Sequence, residues 1–305
     1  MIPTIAEWPI KVTQPHYLDG AVAALGLAFC VLLPSASLCA QGTQPPLSQA
    51  QAQALVQRAL ASESAAAQDL SHAGHPMRYL LHKTSPRLTS TKAIVETRDG
   101  DVARLLSIND QPLGPADEQR EQTRLDALES NPGLQQHRKQ SEDSDAARAM
   151  KVLRVLPAAF VYEFIGTGTA NAAPVEKFSF KPNPQFSPPD FETGVLTAMI
   201  GEIWIDPVQE RVVRLAGSLR QDKEIALGLA ELDKGGWIEI NQADVGGHQW
   251  RIVHLKLVMN TRILFKRKPS DSVQEYSQFV PLPAGMTYRQ AIAVLRALPG
   301  TTSAR

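Results

Sequence analysis

Residues 201–214 read Gly-Glu-Ile-Trp-Ile-Asp-Pro-Val-Gln-Glu-Arg-Val-Val-Arg. A short apolar strand, a stop at Asp206 and Pro207, and a second strand that follows at once form the pattern of a β-hairpin. Further strands are predicted at residues 77–82, 93–97, 102–108, 158–165, 175–180, 196–205, 210–219, 237–241, 248–259, 262–266 and 273–280. Because short turns join consecutive strands, we expect antiparallel pairing. The sequence therefore predicts a mainly β fold with helices (α+β), either a curved antiparallel sheet or a half-open β-barrel with the helices on its concave side.

Helical patterns occur in three segments. A capping-box pattern opens residues 48–69, where apolar side chains recur at helical spacing. Residues 115–148 are rich in Glu, Gln, Arg, Asp and Ser, and the Asn-Pro-Gly sequence at 131–133 divides them into two predicted helices. Thr287 is predicted to cap a closing helix. The predicted buried face of that helix is Tyr288, Ala291, Leu295 and Leu298.

The N-terminal segment predicts export. Residues 21–33 form an apolar run that is followed by a proline and small residues through Ala40. A membrane-spanning helix needs about 20 apolar residues, so this shorter run is typical of a signal peptide with cleavage near Ala40. The preceding segment carries Glu7 and Asp19 but only one basic residue, Lys11, which leaves a later start or a retained membrane anchor open. We predict a location in the periplasm or cell envelope.

The domain organisation follows from these segments. Residues 1–40 are interpreted as a signal peptide, 41–71 as an N-terminal helix, 72–300 as a β-rich domain with a helical insertion over 115–156, and 301–305 as a disordered tail. Both cysteines, Cys30 and Cys39, fall within the predicted signal. A processed chain would therefore lack disulfides and thiolate metal sites. A lipid-modified Cys39 is disfavoured, because Leu38 precedes it where lipoprotein signals have a small side chain.

Composition and motifs argue against several classes of function. The chain has 31 basic and 31 acidic residues and a pI of about 7.1, without the basic excess of a nucleic-acid-binding protein. It contains no Gly-x-Gly-x-x-Gly, Walker, Gly-x-Ser-x-Gly or His-Glu-x-x-His motif. We therefore predict no nucleic-acid partner, no cofactor and no enzymatic reaction, and we assign no catalytic or metal-binding residue.

Three polar clusters are interpreted as surface features. The histidines nearest to metal-ligand spacing are His72, His75 and His82, and no carboxylate ligand accompanies them. Glu202 and Asp206 share a predicted strand face with Trp204, where a solvated rim is favoured over an acid–base pair. The basic residues at 266–268 are interpreted as a charged hairpin tip.

Apolar side chains alternate along several predicted strands and define a candidate ligand-binding face. The predicted apolar lining is Ile203, Ile205, Ile238, Ile240, Val253, Leu255 and Leu257. Alternation with a period of two places neighbouring members of this set on one side of their strand. The same pattern fits a cavity for an acyl chain and a closed core, and spacing alone does not separate the two.

The order of these elements resembles that of exported proteins with the lipoprotein-localisation (LolA-like) fold. The resemblance covers about residues 77–283 and rests on the hairpin at 201–215, an Asn-Asp-Gln-Pro-Leu segment at 109–113 and the charged helical insertion that follows it. Larger, less characterised bacterial variants of outer membrane lipoprotein-sorting proteins carry such an insertion. The resemblance implies a half-open barrel whose mouth is closed by helices. It also implies binding of a lipid or an acylated protein in an apolar hollow, other envelope proteins as partners, and only transient membrane contact.

Two alternatives to a lipid-binding protein stay open at this point. One is an envelope scaffold or interaction protein whose core is packed shut. The other is a hydrolase without a recognisable motif. Substitution of Leu255 by Asp separates the first alternative from lipid binding, because a buried charge unfolds a closed core but is tolerated better in an open hollow.

Overall fold

The computed structural model describes residues 47–71, 75–225, 230–263 and 266–298. The predicted signal peptide at 1–40, both cysteines, His72 and the tail at 301–305 lie outside these residues.

One antiparallel sheet organises the described residues. Its strands are β1 (Met77–Thr84), β2 (Thr89–Val95), β3 (Val102–Ile108), β4 (Gln111–Pro112), β5 (Phe160–Ala170), β6 (Ala173–Pro182), β7 (Met199–Asp206), β8 (Arg211–Leu219), β9 (Lys223–Ile225), β10 (Ala230–Leu232), β11 (Trp237–Asp244), β12 (Trp250–Ile263) and β13 (Lys266–Pro281). The order across the sheet is β4-β3-β2-β1-β13-β12-β11-β8-β7-β6-β5, and β10 and β9 extend it beside the end of β12. Within these residues the outermost strands do not pair with each other, so the sheet does not close into a barrel. This confirms the predicted fold class.

The helices follow the predicted order. They are α1 (Gln49–Ser71), α2 (Pro115–Ser130), α3 (Pro132–Ala159) and α4 (Tyr288–Arg296), with a 3₁₀ helix at Thr193–Ala198. The Asn131 side chain caps α3 by accepting a hydrogen bond from the Gly133 amide. Thr287 and Gln290 form a reciprocal capping box at the start of α4, as predicted for Thr287.

Two strand predictions differ from the structure. The predicted separate strand at 262–266 is wrong, because Arg262 and Ile263 end β12 and Lys266 begins β13, and the two long strands pair directly from Ile263 and Lys266 onward. The predicted strand at 196–205 begins only at Met199, after the 3₁₀ helix. In both places apolar residues continue in the sequence across the end of the strand, so the pattern alone does not mark the boundary.

The strand register defines two faces of the sheet. Residues paired across neighbouring strands point to the same side. One such row runs Phe178, Ile203, Leu215, Ile240, Leu255, Gln274 and Lys83 across β6, β7, β8, β11, β12, β13 and β1. We call the side that carries this row the inner face. The opposite side is the outer face. It carries Arg214 and Glu239, which directly precede Leu215 and Ile240 of this row.

Helices cover the two ends of the sheet differently. On the inner face, α1 packs its apolar stripe against β5–β8 and forms the largest buried cluster, which includes the rings of Phe178 and Phe180. On the outer face, α4 packs against β2 and β3 around Ala93 and Val95. Buried Arg104 on β3 donates hydrogen bonds of 2.8 Å to the carbonyls of residues 295 and 298, at the C-terminal end of α4. Among the described residues, the buried members of these two clusters include none from β1, β11, β12 or β13, which lie between these two ends.

Candidate functional site

The centre of the inner face carries an apolar patch that is only half-buried. Ile240 pairs with Leu255 and Ile238 pairs with Leu257 on the adjacent strands β11 and β12. All four side chains are partly exposed, and none belongs to the four hydrophobic clusters of the described residues. We call these four residues the central apolar patch. Large contiguous apolar surfaces are common at sites of interaction, which makes these four residues a candidate site.

The other predicted lining residues have different environments. Ile203 and Ile205 are completely buried beneath α1 and are part of the closed core. Val253 is half-buried and is the extra residue of a β-bulge, since Asn241 pairs with His254 and the next residue pairs with Ile252. The structure therefore brings four of the seven predicted residues together in an accessible patch and places two in the core.

Leu215 on β8 extends the patch and was missed by the sequence analysis. It is half-buried, pairs with Ile240, and packs against the edge of the α1 cluster. The patch is therefore continuous with the core at the β8 side. Leu215 lies in a predicted strand, but only the pairing of β8 with β11 shows that it points to the same side as Ile240.

Helix α3 links the two covered ends of the sheet. Near its start, Gln135 donates to the carbonyls of Asp99 and Gly100 in the β2–β3 hairpin, at 2.9 and 3.0 Å. Near its end, Leu156 and Ala159 are buried in the cluster that α1 forms with β5 and β6. A helix of this length extends about 42 Å, and the eight strand spacings from β2 to β5 amount to about 38 Å. In sheet order the central apolar patch thus lies between the two anchors of α3.

The middle of α3 is exposed on all sides. Residues 143–149 are all exposed, over about two helical turns. A helical segment that is polar and solvated around its whole circumference is typical of a bridge between two packed regions. α3 is therefore held at its ends rather than along its length.

The N-terminal anchor of α3 contains a cluster of acidic side chains. A carboxylate oxygen of Glu142 accepts a 2.9 Å hydrogen bond from the Asp101 amide, and Arg138 donates to the Asp101 carbonyl at 3.2 Å. The pKa of Asp101 is raised to about 8, mainly by burial and then by the neighbouring charges of Glu142 and Glu96, while Arg138 opposes the shift. Burial also raises the pKa values of Glu142 and Glu96. The folded protein therefore holds protons at this anchor that the unfolded chain releases.

This proton uptake predicts that stability falls as pH rises. An unfolded aspartate has a pKa of about 3.9, so the contribution of Asp101 is fully present below that pH and is lost as pH passes through about 8. We expect Asp101→Asn to raise the free energy of unfolding by about 2 kcal/mol at alkaline pH and to change it little near pH 4. Urea unfolding across this pH range measures the difference. An unchanged pH profile in the variant would contradict the role of Asp101.

The remaining predicted polar clusters have structural partners. Trp204 donates to Glu202 at 3.0 Å, and its ring lies between the cationic groups of Lys177 and Arg214, 4.2 and 4.9 Å from its centroid. Asp206 is buried rather than at a solvated rim, and it accepts hydrogen bonds from two amides of the following turn. These contacts stabilise the β7–β8 hairpin.

Two further polar groups have partners in the sheet. His82 lies 3.1 Å from the Thr91 hydroxyl on the adjacent strand. The carboxylates of Asp222, Glu231 and Asp233 approach one another, but Arg262 pairs with Glu231 at 3.2 Å and with Asp233 at 3.5 Å. His82, Glu231 and Asp233 thus each have a partner within the protein.

Two shallow cavities of about 430 Å³ each lie away from the central apolar patch. One lies between α1 and α3 and is lined by residues such as Leu60 and Leu153. The other lies on the outer face, where Glu202, Arg214 and Trp237 contribute to its wall. Neither cavity is lined by a residue of the central apolar patch.

Comparison with known proteins finds similarity to solved structures. No protein-family model matches the chain, and no curated protein matches it. Among solved structures, an outer membrane lipoprotein-sorting protein domain from Vibrio parahaemolyticus aligns over 82% of this chain and 100% of its own, with a TM-score of 0.29 and 10% sequence identity. At this TM-score and identity the likeness establishes neither the family nor the function of the chain. Within the described ranges, no helix combines the length and apolarity that a membrane crossing requires.

Proposed function

We propose that the protein binds an acyl chain, of a lipid or of an acylated protein, on the central apolar patch, without chemical turnover, in the periplasm or cell envelope. The observation that supports this proposal is the half-burial of Ile238, Ile240, Leu255 and Leu257 in the middle of a sheet whose two ends are closed by helices. In a closed core, paired apolar residues of the central strands would be fully buried, and here they remain partly accessible to water.

The energetic contribution of an acyl chain is substantial. Each methylene that leaves water contributes about 0.8 kcal/mol, so eight methylenes buried between the sheet and α3 contribute about 6 kcal/mol before the costs of association. The ends of α3 are packed, whereas residues 143–149 in its middle are exposed and belong to neither cluster. Binding therefore needs no disruption of either packed cluster.

Titration with a fluorescent fatty acid, cis-parinaric acid, tests the proposal. We expect a saturable rise in emission with the unchanged protein and loss of that rise in Leu255→Asp, because a carboxylate in the patch opposes burial of the chain. Leu255→Asp is expected to cost only about 1 kcal/mol of stability, since its side chain reaches solvent. Val258→Asp is the matched control, because Val258 lies three residues further along β12 and on the outer face, and this variant should bind normally.

A second variant distinguishes the patch from the core. Ile203→Asp places a charge in the fully buried cluster beneath α1 and should unfold the protein, at a cost of about 4 kcal/mol or more. If Leu255→Asp unfolds the protein as Ile203→Asp does, and no saturable binding is measured, the closed-core scaffold replaces the proposal. Turnover of ester or peptide substrates by the purified protein would support the hydrolase instead.

A further inference from the structure

We propose that the patch selects an anionic amphiphile and that Lys83 and Lys92, on the inner face of β1 and β2, bind its acidic head group. This inference rests on the proposed function and adds the chemical class of the ligand. Neither lysine was singled out by the sequence analysis.

The two lysines lie at one end of the row that carries the patch. Leu255 pairs with Gln274, and Gln274 pairs with Lys83. Two strand spacings, about 10 Å, therefore separate the backbone of Leu255 from that of Lys83. An acyl chain on β11 and β12 would place its head group at β1 after crossing one polar strand. Along this row, apolar Leu255 is followed by the side-chain amide of Gln274 and then by the ammonium group of Lys83.

Lys92 joins Lys83 on the same face. Lys92 pairs with Leu81, and Lys83 pairs with Ser90, so the two lysines are diagonal neighbours on β1 and β2. Diagonal neighbours lie about 7–8 Å apart, a distance that the two long side chains can close around one carboxylate or phosphate. In the described residues, no carboxylate forms an ion pair with Lys92.

The electrostatic environment of this pair favours an anion. Burial lowers the pKa of Lys83, and the positive charge of Lys92 lowers it further. Burial likewise lowers the pKa of Lys92, with Arg124 and Arg138 adding to the shift and Glu121 opposing it. A bound anion relieves this repulsion and forms charge-assisted hydrogen bonds.

On the outer face of the central strands, cationic and acidic side chains pair with each other, Arg214 with Glu239 at 2.9 Å and His254 with Glu275 at 2.6 Å. At the other end of the inner row, Ile203 and Phe178 are buried beneath α1. The row of paired residues therefore carries apolar side chains at one end and Lys83, beside Lys92, at the other, which is complementary to an amphiphile with one negatively charged end.

Paired titrations with cis-parinaric acid and its neutral methyl ester test this inference. We expect the unchanged protein to bind the acid more tightly than the ester. In Lys83→Gln and Lys92→Gln the Kd for the acid should rise about tenfold each, while the Kd for the ester stays within about twofold. Lys256→Gln is the control, because Lys256 lies on β12 but on the outer face, and it should leave both constants unchanged.

Each other outcome has a defined meaning. Equal binding of acid and ester in every variant overturns the head-group site and leaves the proposed function standing. Equal weakening of both probes in the lysine variants also overturns it, because that result indicates a structural effect. A loss of acid binding in Lys256→Gln as large as in Lys83→Gln overturns it as well, by showing a non-specific charge effect. If neither probe binds the unchanged protein, the proposed function itself fails.

Discussion

Replacing Glu63 by alanine is expected to lower the free energy of unfolding by about 4 kcal/mol, because it leaves a buried cation without its partner. Glu63 lies in the second half of α1 and is only 9% exposed. Its carboxylate accepts hydrogen bonds from two guanidinium nitrogens of Arg211 at 2.8 and 3.0 Å, from the Val212 amide at 2.9 Å and from the Gln242 side chain at 3.1 Å. One side chain thus joins α1 to β8 and β11.

Urea unfolding of Glu63→Ala measures this loss, and Arg58→Ala is its control on the same helix. Arg58 also pairs with a residue of the β7–β8 turn, Glu210, but its side chain is 53% exposed. A solvated ion pair contributes about 0.5 kcal/mol, so Arg58→Ala should be nearly neutral. Equal, small losses in both variants would show that the Glu63 network does not hold α1 on the sheet.

Local sequence signals predict the hairpins and helix starts correctly. Asp99-Gly100 lies between β2 and β3, and Gly100 adopts a positive φ of 95°, which glycine tolerates. Thr287 begins α4 as its capping pattern indicates. Each of these features depends on residues that are close in sequence. The local sequence pattern therefore includes all the residues that produce the turn or the helix start.

The strand order depends on contacts that a single sequence does not display. β1 pairs with β13, and β8 pairs with β11, across long stretches of chain. Arg104 is a further example, because a buried arginine in a predicted strand has no visible partner until α4 brings its terminal carbonyls close. Such pairings are set by burial and shape over the whole sheet.

The candidate site was only partly predictable for the same reason. Alternation correctly indicates that Ile238, Ile240, Leu255 and Leu257 share one face, but Ile203 and Ile205 show the same pattern. Whether such a row is core or surface depends on where α1 docks, and α1 covers β7 without covering β11 or β12. Lys83 and Lys92 belong to no recognisable sequence motif. Their relation to Leu255 follows only from the register of β13.

Substitution of Gly201 by alanine is the second change with a large expected effect. Gly201 is the third residue of β7 and pairs with Gly217 on β8 and Phe180 on β6. A Cβ atom at this position would overlap the Ala216 carbonyl oxygen and would lie 2.7 Å from the Phe180 ring and 2.8 Å from the Gly217 Cα. Since two of these neighbours are backbone atoms of the adjacent strand, they cannot move aside without opening the ladder. We expect a loss of about 3 kcal/mol or more.

Thermal and urea unfolding of Gly201→Ala measure this cost, and a second glycine gives the control. Gly194 has only the Lys223 side chain, at 3.8 Å, near the position of an added Cβ, so Gly194→Ala should be neutral or slightly stabilising. Truncating the ring with Phe180→Leu in the Gly201→Ala background should not restore stability, because the Ala216 carbonyl still blocks the methyl group. Full recovery in that double variant would mean that the ring, rather than the close approach of two strands, requires glycine at this position of β7.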